Sequence, residues 1–173
     1  MPNIDLTQLS PADALDLAIL VEEESRSRYE EFARIVGGRY RGDASDMFRT
    51  MAGYEAQHAR ELAQRRTTLF GNIPRRVTAE MIEDVEAPDR GEPRVFMSAR
   101  QAMEVALRAE EKAYDFFTAA LKQVTHPGVR ELFEELRQEE VRHRDLVRAA
   151  MEKLPVGPDV EDDEADEPGS DAG

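Results

Sequence analysis

Four long stretches of the chain place apolar residues at alternating spacings of three and four, the pattern of an amphipathic helix with one buried face. They begin near residues 11, 43, 98 and 127 and end near residues 36, 70, 124 and 154. The second, for example, places Phe48, Met51, Leu62 and Leu69 on one face. No run shows the period of two expected for a half-buried strand. The pattern therefore predicts an all-α protein built on four helices.

Local signals mark where these helices begin and end. Ser10 can cap the first helix, with Pro11 at its first position, and Gly37 ends it. The second helix ends at a turn sequence that begins with Gly71. Ser98 is followed three residues later by glutamine, a capping box that begins the third helix. Because the loop after the first helix is short, the second helix should return antiparallel to the first.

The connection between the second and third helices is long. Residues 71 to 97 include prolines at positions 74, 88 and 93 and have room for one short helix, near Thr78 to Val85. This length is unusual for a turn but suits a crossover from one end of a bundle to the other. The prediction is an antiparallel four-helix bundle with a long crossover between helices two and three, so that helix three runs parallel to helix two.

Each predicted helix carries a carboxylate in the middle of its apolar face. The first and third helices have one glutamate there, whereas the second and fourth have a glutamate followed three residues later by histidine. Residues three apart are neighbours on one face of a helix, so each Glu-x-x-His presents a carboxylate and an imidazole together. The six candidate ligands are Glu22, Glu55, His58, Glu110, Glu140 and His143.

These glutamates need compensating positive charge. A carboxylate on the buried face of a helix is unfavourable unless it is paired, and no lysine or arginine occupies the neighbouring face positions of helices one, three and four. Two divalent cations would neutralise four carboxylates, and oxygen with imidazole ligands suits iron or manganese. A single Glu-x-x-His is weak evidence, but two of only three histidines have it here. The pattern therefore predicts a dinuclear metal site.

The two halves of the chain repeat each other. Glu22 corresponds to Glu110 at an offset of 88 residues, and Glu55 corresponds to Glu140 at an offset of 85. Pseudo-twofold symmetry between two helix pairs would bring all six residues to one level of the bundle. The remaining histidine, His126, lies at the break before the fourth helix and is interpreted as a surface or capping residue.

Composition excludes several other functions. The chain of 173 residues has no cysteine, which excludes disulfides, iron-sulfur clusters and thiol catalysis. The net charge is −14, and residues 155 to 173 carry eight acids and no base, so about −6 remains on the rest. Nucleic acid is therefore an unfavourable partner. We expect one folded domain over residues 1–154 and an acidic, disordered tail over 155–173.

The sequence gives no sign of a membrane segment. The N-terminus lacks a basic region followed by an apolar run, and the longest apolar stretch, from Leu17 to Val21, is far shorter than a membrane span. A cytoplasmic protein without a membrane partner is the expectation.

The motifs resemble those of the rubrerythrin branch of the ferritin-like superfamily, over about residues 10 to 154. In the stretch from Leu20 to Ala33, Glu22 precedes Tyr29 by seven residues, as in the first helix of that family. The two Glu-x-x-His pairs, and Glu110 with the aromatic pair at 116 and 117, match the remaining motifs. The resemblance implies that the six candidate ligands hold two iron ions, with manganese or zinc as substitutes. Tyr29 is a candidate partner behind the ligands.

Three features depart from the family pattern. Rubrerythrins carry another glutamate one turn after the third-helix ligand, where this chain has Ala113, and Ser25 is the equivalent residue of the first helix. A six-ligand site is therefore expected. The residue seven after Glu110 is Phe117 and not tyrosine. The chain resembles an erythrin domain without a rubredoxin domain, so electrons would come from a separate donor or from Fe(II).

Two classes of function remain open. The first is a di-iron oxidoreductase of the peroxidase or ferroxidase type, in which the six ligands and Tyr29 form the catalytic set and hydrogen peroxide or dioxygen reacts with bound Fe(II). The second is a non-catalytic iron-handling or interaction module whose acidic tail recruits iron or a partner. A homodimer is expected in either case, with helix pairs closed within one chain or exchanged between two.

Overall fold

A computed structural model describes residues 4–82 and 85–156. After a 3-10 turn at Leu6–Gln8, five helices follow in the described residues, and no strand is found among them. They are α1 (Pro11–Val36), α2 (Ala44–Phe70), α3 (Ala79–Ile82), α4 (Ala99–Ala120) and α5 (Pro127–Glu152). The all-α prediction is confirmed, and α1, α2, α4 and α5 are the four predicted helices. The short α3 lies within the stretch predicted to hold a short helix.

The predicted start signals act as helix caps. The hydroxyl of Ser10 accepts a hydrogen bond from the amide of Asp13, whose carboxylate accepts one from the Ser10 amide in return. Ser98 forms the same reciprocal box at the start of α4. His126 caps α5 by accepting a hydrogen bond from the amide of Gly128, which confirms its interpretation as a capping residue. These bonds satisfy amides that have no partner within the first turn of a helix.

The chain forms two antiparallel helix pairs, α1 with α2 and α4 with α5. One apolar cluster combines Phe32 from the last third of α1 with Phe48 near the start of α2 and Met103 near the start of α4. The starts of α2 and α4 therefore lie at the same end of the bundle, so these helices run parallel. The predicted crossover is confirmed.

A second apolar cluster fills the other end of the bundle and includes Leu17, Phe117 and Phe133. Along α1, this cluster ends at Val21, and the cluster described above begins at Tyr29. The same division occurs on the other three long helices, in each case around the position of the predicted glutamate. The acidic residues thus occupy one layer between two apolar layers.

The connection between α2 and α4 lies against α1 and α4. Arg28 of α1 donates a hydrogen bond to the Pro88 carbonyl at 2.6 Å, and Lys112 of α4 donates one to the Ala87 carbonyl at 3.1 Å. Further along, Arg108 of α4 pairs with Glu92. The crossover therefore covers one side of the bundle.

One predicted face position is wrong. Leu69 is 59 % exposed, whereas the buried side of α2 continues from Leu62 through Arg66 to the partly buried Phe70. Each four-residue step turns the buried side by about 40° around the helix axis, so at the end of α2 the core faces Phe70, and Leu69, about 100° from Phe70 around that axis, points away from the core.

The predicted acidic tail lies almost entirely at residues 157–173, outside the described residues. Within the described ranges, none of the helices combines the length and the apolar character needed to span a bilayer.

Candidate metal centre

The six predicted residues come together in the central layer. Glu22 belongs to α1, Glu55 and His58 to α2, Glu110 to α4, and Glu140 with His143 to α5. The four glutamates are buried, none exposing more than 6 % of its surface, and the two histidines are half-buried. Helical phase thus places one carboxylate from each long helix in the interior, as the sequence predicted.

The first helix pair supplies one group of ligand atoms. The Nδ1 atom of His58 lies 3.6 Å from Oε2 of Glu22 and 3.7 Å from Oε2 of Glu55. One atom from each of these residues falls within a set whose members are at most 4.8 Å apart. These distances exceed an ordinary hydrogen bond but suit three ligands around one cation.

The second helix pair repeats the arrangement. The Nδ1 atom of His143 lies 3.2 Å from Oε2 of Glu110 and 3.5 Å from Oε2 of Glu140. These residues form a second group with the same 4.8 Å limit. The sequence repeat is therefore also a repeat of geometry, with one lone glutamate and one Glu-x-x-His in each half.

The two halves meet at their histidines. The rings of His58 and His143 are stacked with centroids 4.5 Å apart and planes inclined by 4°. A cavity of about 820 Å³ lies beside them, lined mainly by α2 and α5, and Met51, Leu136 and Val147 contribute to its walls. The side of the bundle opposite the crossover therefore provides a route to the centre.

A seventh candidate residue was not predicted. Glu86, in the connection after α3, is 2 % exposed and forms a third group with Glu55 and Glu110, again within 4.8 Å. Helical periodicity could not distinguish it from its acidic neighbours Glu83 and Asp84, because no helical face is defined there. Its one sequence signal is the apolar residue on either side.

Burial and mutual repulsion dominate the electrostatics. Burial, followed by the charges of Glu86 and Glu55, raises the pKa of Glu22 well above its usual value. Burial also raises the pKa of Glu86, with the charges of Glu55 and Glu140 acting in the same direction. The pKa of Glu140 rises to about 8, chiefly through burial, although His143 opposes the shift. In the metal-free protein, protonated carboxyls are therefore favoured.

The pKa of His143 is also raised, which for a histidine favours the charged form. Burial disfavours its charged form, but Glu110 and Glu140 outweigh that effect and raise the pKa of His143 to about 10. Among the described residues, the two histidines are the only basic groups that pair with any of the five glutamates. The centre thus holds more acid than its own bases can neutralise.

Tyr29 lies in the adjacent apolar layer and is fully buried. Burial, and then the charge of Glu110, raises the pKa of its hydroxyl well above the usual value. That hydroxyl has no hydrogen-bond partner among the described residues. Tyr29 therefore faces the electrostatic field of the centre, while its role as a supporting residue stays a prediction.

The donor atoms fit bound cations. Several buried polar atoms of the centre have no hydrogen-bond partner among the described residues, although such atoms are normally satisfied in folded proteins. They are Oε2 of Glu22, Glu55, Glu86 and Glu140, and Nδ1 of His58. Carboxylate oxygen and imidazole nitrogen are ligands for divalent iron, manganese and zinc. Unpartnered donors of this kind, all within one layer, are the arrangement that metal ions would complete.

Known structures share the architecture. A crystal structure of an uncharacterized conserved protein from Magnetospirillum magnetotacticum MS-1, at 2.00 Å, superposes with a TM-score of 0.63 at 25% identity, covering 88% of this chain and 99% of that one. A hypothetical protein from Pyrococcus furiosus gives a TM-score of 0.54 at 19% identity, with 88% and 94% coverage, and supports the fold alone. These similarities confirm the ferritin-like fold. No curated protein matches the chain.

The family assignment rests on the match to a family model. The rubrerythrin model matches residues 13–151, and a second match covers residues 101–167. The first match spans nearly the whole length of the four long helices and includes all seven candidate side chains of the central layer. The chain belongs to the rubrerythrin family.

Proposed function

We propose that this protein binds two iron ions in its central layer and transfers electrons from them to hydrogen peroxide or dioxygen. The observation that carries the proposal is the cluster of buried glutamates with no lysine or arginine partner among the described residues. Such a cluster is unfavourable in a metal-free protein and becomes favourable when cations neutralise it. Membership of the rubrerythrin family supports iron as the metal.

Each helix pair would hold one ion. Glu22, Glu55 and His58 form the ligand set of the first half, and Glu110, Glu140 and His143 that of the second. The 4.8 Å limit within each group leaves room for a cation between the donors. Because α1 packs against α2 and α4 packs against α5, each pair fixes the positions of its own three ligands.

The bound iron would supply the electrons: two Fe(II) ions give up one each, and with two protons they reduce one hydrogen peroxide to two waters. The protein's own described residues limit the access of bulk water and leave an approach from the side of α2 and α5. The apolar layers close the site above and below, while the cavity between α2 and α5 leads to the stacked imidazoles. The Tyr29 hydroxyl, which is buried and has no hydrogen-bond partner in the described part of the chain, is available to donate a hydrogen bond towards the centre.

Electrons must be replaced after each turnover. The chain has no cysteine and hence no rubredoxin-type iron of its own. A separate electron donor fulfils this need in the peroxidase form of the proposal, whereas in the ferroxidase form fresh Fe(II) is the reductant. We also propose a homodimer, which light scattering at micromolar concentration would detect.

The test begins with the metal-free protein under anaerobic conditions. Titration with Fe(II) should reach two ions per chain, and rapid mixing with hydrogen peroxide or dioxygen should then oxidise that iron faster than the same concentration of Fe(II) in buffer. One ion per chain or none at saturation would contradict the dinuclear site.

The same experiment separates the enzyme from the iron-handling module. If two ions bind but react no faster than free Fe(II), the non-catalytic alternative is favoured. A variant that lacks residues 155–173 tests the second part of that alternative. Under the enzyme proposal it should keep its iron content and its rate, because those residues contain no apolar anchor and follow the last helix.

A further inference from the structure

Glu86 is unlike the other acidic residues of the centre because no long helix carries it. It lies in the connection between α3 and α4, where Val85 is 2 % exposed and Ala87 is fully buried. The backbone of this short stretch is therefore sunk into the bundle. A carboxylate at its middle residue must point into protein and not into solvent.

The bundle holds this stretch from both sides. The Arg28 guanidinium, itself 3 % exposed, donates to the Pro88 carbonyl, and the Lys112 ammonium donates to the Ala87 carbonyl. Arg28 belongs to α1 and Lys112 to α4, so the two carbonyls that follow Glu86 are fixed to the two helices that carry the lone glutamates. The position of Glu86 is thus set by the same elements that set Glu22 and Glu110.

Small residues leave room for its side chain. One turn after Glu22 stands Ser25, and one turn after Glu110 stands Ala113, both fully buried. Residues one turn apart share a helix face, so both small side chains stand on the faces that carry Glu22 and Glu110. The Ser25 hydroxyl is close enough to Glu86 to oppose, in part, the rise in its pKa. The side chain supplied by the connection therefore occupies space that the helices leave open.

The carboxylate reaches both halves of the centre. Its group includes Glu55 from the first helix pair and Glu110 from the second, within 4.8 Å. Its Oε2 atom is buried and has no hydrogen-bond partner among the described residues. A third carboxylate placed between two others adds repulsion unless a cation lies among them.

We propose that Glu86 is a seventh metal ligand, supplied by the crossover and placed between the two halves of the centre. This inference rests on the proposed function only in requiring that metal binds in the central layer. It has two consequences that ligation by helix residues alone would not have. Loss of Glu86 should lower the affinity for both ions and not for one alone. Metal binding should also hold the crossover more tightly against the bundle.

The first experiment compares Fe(II) binding by the full-length wild type, Glu86→Gln and Glu92→Gln under anaerobic conditions. Glu92 lies in the same connection but pairs with Arg108 near the surface, so it controls for the loss of one acid from the crossover. We expect Glu86→Gln to lower the affinity at both sites by about ten-fold or more, and Glu92→Gln to leave both within two-fold of the wild type.

The second experiment measures the crossover directly by the rate of trypsin cleavage after Arg90, whose side chain is 66 % exposed. Fe(II) should slow this cleavage in the wild type and in Glu92→Gln, but much less in Glu86→Gln. The reaction with peroxide plays no part in this measurement. Should Glu86→Gln fail to fold, Glu86→Asp keeps the charge but shortens its reach, and both effects should then be intermediate.

The outcomes separate the two proposals. Absence of Fe(II) binding to the wild type would contradict the metal centre as a whole. Two bound ions in the wild type, with equal affinity and equal protection in Glu86→Gln, would leave the centre intact and overturn the assignment of Glu86. Weakening at one site alone would also overturn its place between the halves.

Discussion

Two clusters of buried acids lie in the same bundle, and they differ in the basic groups that surround them. Near the start of α1, Asp16 is 1 % exposed and accepts hydrogen bonds from the Arg66 guanidinium at 2.9 and 3.1 Å, with Arg75 at 3.2 Å. Asp13, one turn earlier, pairs with Arg76, and this partner lowers its pKa to about 2. The acids of the central layer have no such guanidinium among the described residues.

The difference shows that burial by itself does not explain why the central carboxylates lack arginine or lysine partners. At the end of the bundle, the fold stabilises buried carboxylates with arginine, which supplies a fixed charge and directed hydrogen bonds. In the centre, the same chain supplies two imidazoles for five carboxylates. Buried carboxylates without such partners either take up protons or are neutralised by bound cations. The cluster of Asp13 and Asp16 with their arginine partners, called the end cluster below, therefore serves as an internal control for the metal proposal.

The largest loss of stability should follow from removing the buried arginine of the end cluster. Arg66→Ala removes the buried partner of Asp16 and should lower the free energy of unfolding by about 3 kcal/mol, with or without metal. Arg75→Ala, whose side chain is 46 % exposed, should lower it by less than about 1 kcal/mol. Urea denaturation of both variants gives the comparison. A loss for Arg66→Ala that disappears on adding metal would contradict the separation of the two clusters.

Metal removal should lower the stability of the protein through the central layer alone. At a free Fe(II) concentration about 100 times the dissociation constant, binding to the folded state adds about 2.7 kcal/mol. For a chain of this size, that corresponds to a rise in melting temperature of roughly 5 to 10 °C. Anaerobic calorimetry at pH 7, with Fe(II) or with a chelator, measures the shift. Equal melting temperatures would show that the buried carboxylates are not neutralised by metal.

The stability of the metal-free protein should depend on pH in the direction expected for repulsion among the central carboxylates. Carboxyls whose pKa is raised on folding hold protons that the unfolded chain has lost, so stability falls as pH rises from about 4.5 towards the value of about 8 for Glu140. His143, raised from 6.5 to about 10, acts in the same direction at higher pH. The contribution of Asp13 to stability is lost only as pH falls from 3.8 towards about 2, outside this window.

We therefore expect the metal-free protein to lose about 2 kcal/mol of stability between pH 5 and pH 8, given about 1.4 kcal/mol for each unit of pKa shift and partial relief as water enters the empty site. Urea denaturation with a chelator present provides the measurement. With Fe(II), metal replaces the protons, so the gap between the loaded and the metal-free protein should widen as pH rises. A metal-free protein that gains stability over this range would disprove the proposed repulsion.

The smallest effect concerns two adjacent glutamates. Glu140→Ala removes a buried carboxylate and should weaken at least one Fe(II) by about ten-fold, or roughly 1.4 kcal/mol. Glu139→Ala removes a side chain that is 38 % exposed and pairs with Arg142, so binding should stay within two-fold of the wild type. Calorimetric titration distinguishes them. Equal responses would mean that helical phase does not define the site.

Helical phase explains why most of the central layer could be predicted. A helix repeats every 3.6 residues, so an acid among regularly spaced apolar residues must share their burial. That rule identified Glu22 and Glu110 without any knowledge of their neighbours in space. The caps at Ser10 and Ser98 were predictable for a similar reason, because their partners are three residues away in sequence.

Residues whose role depends on distant partners could not be predicted in this way. Asp16 and Arg66 are 50 positions apart, and nothing in their local sequences indicates that they pair. Glu86 lies outside any long helix, so its burial follows from the packing of the crossover and not from a period. Leu69 was misplaced because the buried side of α2 turns towards Phe70 at the helix end, a shift that is set by packing and not by the spacing of apolar residues.

The crossover also breaks the symmetry of the repeat. The two hairpins repeat one ligand pattern, a lone glutamate and a Glu-x-x-His, but joining them requires one connection, which has no counterpart in either half. This connection seals the α1 and α4 side and brings in one unmatched carboxylate, whereas the α2 and α5 side stays open through the cavity beside the stacked imidazoles. The two faces of a duplicated core can therefore diverge independently: changes in the crossover would alter how the ions are held, and changes along the cavity would alter what reaches them.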